Sequence, residues 1–164
     1  MRPQPGAAWA PRGHPKRHRA NYKRPHGVRY YFAGYDVHAD KLWMRQRRRK
    51  HWQEVLSFLR SLRRRYPHGR RIYLVLDNLS SHNRRDVVAW CNRNNITMVF
   101  TATYASWMNR IECHFAPFKA FVISNSDHAG HDEIETAAQD YLHWRNADKK
   151  NAKILKEQNS IRTL

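Results

Sequence analysis

Ile72-Tyr73-Leu74-Val75-Leu76-Asp77 is the stretch on which the reading of this chain turns. Its apolar residues follow one another without polar alternation, which reads as a strand buried on both faces and paired in parallel. It closes on a carboxylate. In α/β sheets functional groups gather beyond the carboxyl ends of the strands, and Asp77 stands at that position.

Working outward, Pro67-His68-Gly69 breaks the chain before the strand, and an amphipathic helix precedes the break. From Lys50 to Tyr66 the apolar residues Trp52, Val55, Leu56, Leu59, Leu62 and Tyr66 recur at steps of three and four, with Arg63, Arg64 and Arg65 where cations suit the helix dipole. Earlier still, Val28–Asp36 and Lys41–Gln46 carry the aromatic bias of strands and flank a short His38-Ala39-Asp40 turn, so they form a hairpin. Downstream, Ser80 and Ser81 are candidate N-caps for a helix over Asn83–Asn94 with Val87, Val88 and Cys91 on one face. Ile96–Phe100 is a further strand. The loop Thr101–Met108 leads to a helix carrying Ile111, Phe115, Phe118 and Val122, kinked at Pro117. A last helix over Asp132–Arg145 turns Ile134, Ala137, Ala138, Tyr141 and the stem of Arg145 to one side. This order predicts an α/β domain with a mixed sheet flanked by helices, spanning 28–148. A basic extended segment (1–27) precedes it and a polar tail (149–164) follows.

The 164 residues carry 31 Lys and Arg against 13 acids, a formal net charge of +18. Solubility needs far less, so the excess points to a polyanionic partner. If six of these cations met phosphates, affinity would fall with log salt at a slope of roughly −5. Cys91 and Cys113 lack paired spacing and suit a reducing compartment without disulfides. Cys113-His114 and His128-Ala129-Gly130-His131 lack the regular paired ligands of a structural zinc site. No apolar run is long enough for a membrane span, and no apolar core follows the basic N-terminus as in a secretory signal.

Between Asp77 and Glu112 lie 34 residues, room for a helix, a strand and a loop that return the chain. Two carboxylates on rigid elements in basic surroundings are what a hard divalent cation and a nucleic acid require together. Each has an ordinary explanation when taken alone: Asp77 caps a turn with Asn78, and Glu112 is a solvated helical residue. On a regular helix Glu112 lies about 100° from the apolar row, sharing a second face with Asn109 and Lys119.

The stretches Leu74-Val75-Leu76-Asp77-Asn78-Leu79-Ser80-Ser81-His82 and Phe100-Thr101-Ala102-Thr103-Tyr104-Ala105-Ser106-Trp107-Met108-Asn109-Arg110-Ile111-Glu112, with their spacing, resemble the catalytic domain of mariner-type insertion-sequence transposases with a DDE triad. Tyr141-Leu142-His143-Trp144-Arg145-Asn146-Ala147 and Trp9-Ala10-Pro11-Arg12-Gly13 are similar to bacterial members, so the resemblance spans nearly the whole chain. It implies a ribonuclease-H-like fold, DNA strand cleavage and transfer, and Mg²⁺ or Mn²⁺ in a two-ion site. Asp77 corresponds to the family's second acid and Glu112 to its third, as catalytic residues and metal ligands. Asn78, His82, Asn109 and Lys119 would support the site, and Arg47, Arg48, Arg49, Lys50 and Arg110 would meet DNA. The implied partners are transposon ends and target DNA, with room for a homodimer, in a bacterial cytoplasm at the nucleoid.

By the same resemblance the family's first aspartate, with the strand that carries it, falls upstream of Met1. Asp36 and Asp40 are the only acids before Glu54; both belong to the hairpin, and Asp36 is the one considered as a substitute. The expectation is an N-terminally truncated transposase, weakly active or inactive. Two alternatives stay open: a non-catalytic basic DNA-binding remnant, and an unrelated RNA-binding protein stacking bases on Tyr30, Tyr31, Phe32 and Tyr35.

Overall fold

A computed structural model describes residues 3–7, 9–15, 17–18, 27–103 and 108–147. The polar tail read over 149–164 lies outside them. The elements run β1 (Tyr30–Asp36), β2 (Lys41–Arg47), α1 (Trp52–Arg63), β3 (Ile72–Leu76), α2 (Arg85–Arg93), β4 (Ile96–Phe100), a 3-10 turn (Glu112–His114), α3 (Phe115–Phe118), a π turn (Lys119–Ile123) and α4 (His131–Asn146). The fold is mixed α/β. The described residues divide into two compact units: those within Arg29–Tyr35 and Trp43–Glu112, and those within Met1–Val28, Asp36–Leu42 and Cys113–Leu164.

In the first unit β3 and β4 pair in parallel with Ile72 opposite Ile96 and Leu76 opposite Phe100. One mixed sheet was the expectation. Among the described residues there are instead two two-stranded sheets, β1–β2 and β3–β4, because no strand joins β1 to β3. The expected burial of β3 is also corrected. Tyr73 is 68% exposed, Val75 48% and its register partner Val99 43%. The core lies on the other face, where Val55, Leu56 and Leu59 of α1 meet Val87 and Cys91 of α2 and Ile96 of β4. Phe32, Ile72, Leu74 and Met98 pack against this cluster. Each such aliphatic side chain contributes about 1.5–3 kcal/mol on burial. Gly34 of β1 allows α1 to approach: a Cβ there would lie 3.0 Å from Leu62 Cδ1 and 3.3 Å from Phe58 Cζ.

Helix α2 starts later than expected. Arg84 holds the N-cap position without a side-chain cap, and Asp86 supplies first-turn acid, so neither Ser80 nor Ser81 caps it. Those serines lie in the turn that follows β3. Asn95, at φ 58°, ends the helix in the left-handed region, and its carbonyl accepts the Ile72 N–H at 3.0 Å. The helix expected across Pro117 is three short pieces of different pitch, and π-type hydrogen bonding takes over just after the proline.

In the second unit Phe118, Val122, Ile134, Ala138, Tyr141 and Leu142 are buried. Burial pushes the Tyr141 phenol pKa up, against the lowering influence of Arg145 and with a further push from Cys113. Residues 3–7 follow the turn after the π turn: Gln4 N–H donates to Ser126 O at 2.9 Å and Asn125 N–H to Pro5 O at 3.3 Å. A Cβ on Gly6 would lie 2.5 Å from Asn125 N, so this passage requires glycine.

Arg145 is not held by its stem alone, as its helical position suggested. It is 3% exposed, and its guanidinium pairs with the buried Asp40 carboxylate and the Asp40 carbonyl. Asn146 completes the lock by exchanging hydrogen bonds with Leu42, accepting from its N–H at 2.9 Å and donating to its carbonyl at 2.8 Å. These contacts anchor the end of the hairpin to α4. Arg145→Met should leave the Asp40 charge buried and cost about 3–5 kcal/mol of stability. Asp40→Asn/Arg145→Met should recover part of that loss in urea denaturation, since Asn tolerates the φ of 51° at position 40.

Cys91 offers a second check. Burial raises its thiol pKa from 9.0 to about 11, so the folded protein retains a proton that the unfolded chain releases near 9. The stabilisation is complete below that value and is lost as pH rises from 9 to 11. At pH about 8, iodoacetamide should alkylate the half-buried Cys113 and spare Cys91 until the chain unfolds.

Candidate active site

Asp77 follows directly from the C-terminal end of β3, where the ladder extends one step further through Thr101 N–H to Leu76 O at 3.0 Å. Asn78 ties the same ends together, donating from Nδ2 to Thr101 O at 2.6 Å. A tight turn then reverses the chain, with His82 N–H and Asn83 N–H both donating to Leu79 O. The reversal brings the His82 ring back onto the strand end. Its Nδ1 stands 2.8 Å from Asp77 Oδ1 and 3.2 Å from Asp77 O. The Asp77 carbonyl is the hydrogen-bond partner of the ring, while Oδ1 forms an ion pair with it when the ring is protonated. Asp77 is thus held by its neighbour, with its side chain 41% exposed against 20% for His82.

Glu112 is exposed and opens the 3-10 turn, its N–H donating to Asn109 O at 3.0 Å. Asn109 Oδ1 accepts from Ile111 N–H at 3.3 Å, so it shapes the approach to that turn. The shared helical face expected for Asn109, Glu112 and Lys119 does not exist. Asn109 precedes the helical segment, Glu112 sits on a 3-10 turn and Lys119 opens the π turn in the other compact unit, so no single 100° step relates them. Asp36 is used by the hairpin: its Oδ1 accepts from His38 N–H and Ala39 N–H, both at 2.9 Å. Among the described residues no group of three or more His, Cys, Asp or Glu is assembled as a metal ion would need.

Of the expected DNA-facing cations, Arg48, Arg49 and Lys50 are exposed at the end of β2. Lys50 Nζ stands 5.6 Å from the centre of the Tyr30 ring. Arg47 is half-buried and donates to Gln46 O at 2.9 Å, and Arg110 is half-buried beside Asn109. Tyr104–Trp107 of the connecting loop lie outside the described residues.

The profile of the DDE superfamily endonucleases matches residues 1–135. The chain belongs to that family. The fold of this member of the DDE superfamily is similar to a chain in the cryo-EM structure of a simian T-cell lymphotropic virus intasome in complex with PP2A regulatory subunit B56 gamma. The TM-score is 0.59 at 14% identity, over 79% of this chain. The match spans about half of the intasome chain, 46%. No curated protein matches the sequence. No helix among the described residues is long and apolar enough to cross a membrane.

The role of His82 was legible only in part. The sequence supplied its proximity in the chain, and the turn at Leu79 supplied the contact. Both groups facing its Nδ1 are hydrogen-bond acceptors, so that nitrogen carries the proton in the neutral ring as well as in the charged one. Nitrogen-15 NMR of the folded protein near pH 8 should show His82 as the Nδ1–H tautomer; an Nε2–H tautomer would contradict this geometry.

Proposed function

We propose that the chain is the catalytic part of a mariner-like insertion-sequence transposase with a ribonuclease-H-like core over 28–148, acting in DNA strand cleavage and transfer. The observation that carries this reading is Asp77, a braced carboxylate at the C-terminal end of a parallel strand in a member of the DDE superfamily endonucleases. Glu112 is its partner acid.

The donor chemistry fits a hard divalent cation. Carboxylate oxygens suit Mg²⁺ or Mn²⁺, and the His82 nitrogen is turned toward Asp77 rather than offered as a soft ligand. Asp77 and Glu112 would hold the ion. When bound, Mg²⁺ or Mn²⁺ supplies activation of the attacking oxygen and stabilisation of the leaving oxygen of the phosphodiester. His82 fixes the carboxylate's orientation, Asn78 keeps the ends of β3 and β4 together, Asn109 shapes the turn before Glu112, and Lys119 contributes charge. Arg47, Arg48, Arg49, Lys50 and Arg110 meet the phosphates of transposon ends and target DNA, a location at the nucleoid follows from that substrate, and a homodimer would bring two ends together.

A third acid completes a two-ion site. With Asp36 committed to the hairpin turn, that acid belongs on a strand lying between β1 and β3, which would join the two small sheets into one.

Nicking of supercoiled plasmid tests this. It should require Mg²⁺ or Mn²⁺ and disappear in Asp77→Asn and in Glu112→Gln, while DNA binding stays unchanged or tightens slightly. His82→Ala should weaken the divalent ion's apparent affinity by about 10–100-fold. A chain lengthened at its N-terminus by a strand ending in Asp should gain both nicking activity and thermal stability. Metal-independent nicking, or equal nicking without the added strand, would defeat the corresponding half of the reading.

A further inference from the structure

The stretch from Lys41 to Leu76 holds twelve Lys and Arg residues and one acid, Glu54. The fold gathers part of this charge into a defined surface within one compact unit. Residues alternate along β2, so buried Leu42 and Met44 turn to one face and Trp43, exposed Arg45 and Arg47 to the other. The end of α1 returns beside this outer face. The Arg65 guanidinium carbon stands 4.9 Å from the centre of the Trp43 ring, and Tyr66 meets the indole edge-on at 6.3 Å.

We propose that Trp43, Arg45, Arg65 and Tyr66 form a phosphate-gripping platform for duplex DNA, separate from Asp77 and Glu112. The stack on Trp43 restricts the guanidinium and leaves its N–H edge free to donate to a phosphate oxygen, a geometry lysine cannot reproduce. Arg45 and Arg47 continue the platform along β2. From Trp43 to Arg47 the strand advances about 13 Å, so the cations at its two ends can meet non-adjacent phosphates of one DNA strand. The proposal rests on the preceding reading only for the identity of the polyanion; it does not require cleavage.

The salt dependence of binding to a labelled DNA duplex separates this platform from diffuse charge. Arg45→Ala/Arg65→Ala should reduce the magnitude of the slope of log K against log salt by about 2, since each phosphate contact contributes about 0.9. Arg85→Ala/Arg93→Ala removes the same charge from exposed positions on α2 and should leave the slope unchanged. Trp43→Leu retains every charge yet should lose about one contact, and Trp43→Tyr, which keeps a ring beneath Arg65, should retain it; circular dichroism confirms folding. Equal losses from both arginine pairs, a wild-type slope in Trp43→Leu, or tighter binding to an RNA duplex of the same sequence would overturn the platform. Nicking is an independent readout: slope changes as described without metal-dependent nicking defeat the catalytic reading alone.

Discussion

Parallel strands cannot be joined by a tight turn, so the pairing of β3 with β4 commits the chain between them to a crossover. That crossover is α2, and its Val87 and Cys91 close the core against α1 and Ile96. Both strands therefore end on the same side. Asp77 emerges there beside Thr101, and Asn78 fastens the two ends by bonding the Thr101 carbonyl. The same constraint sets the turn at Leu79, which leads into α2 and carries His82 back to Asp77.

Charge is distributed according to what each group costs to bury. Arg63 and Arg145 are the cations among the described residues that are fully buried, and each meets oxygen acceptors: Arg63 the Pro67 and His68 carbonyls at 2.8 and 2.6 Å, Arg145 the Asp40 carboxylate and carbonyl. The acids of the hairpin are absorbed structurally, Asp36 by two N–H groups of the turn and Asp40 by Arg145. Asp77 and Glu112, by contrast, keep access to solvent.

Much of the first unit was legible because its signals are local. The three-and-four spacing of Trp52, Val55, Leu56, Leu59 and Leu62 specifies α1 whatever it packs against, and the run Ile72–Leu76 specifies a strand. Element boundaries came within a few residues, except where serine capping was expected for α2 and one kinked helix across Pro117. Those differences have a common cause. A cap depends on where the chain arrives from, and the pitch of a helix end depends on which backbone acceptors the surroundings leave available, so the residue types alone do not decide them.

By itself the sequence determined the α/β order, the strand ending in a carboxylate, the spacing from Asp77 to Glu112 and the excess of positive charge, since each follows from the order of residues along the chain. Only the tertiary structure decided which face of β3 is covered, that Arg145 reaches Asp40, that Arg65 lies on Trp43 and that Glu112 stands on a 3-10 turn. These depend on groups separated by tens of residues or on the local pitch of the backbone. A burial pattern cannot tell a strand with helices on both sides from one covered on a single side, and an arginine on an apolar helix face does not name its carboxylate. Packing supplies those partners, because a buried charge or a half-covered sheet is settled by whatever the fold brings against it.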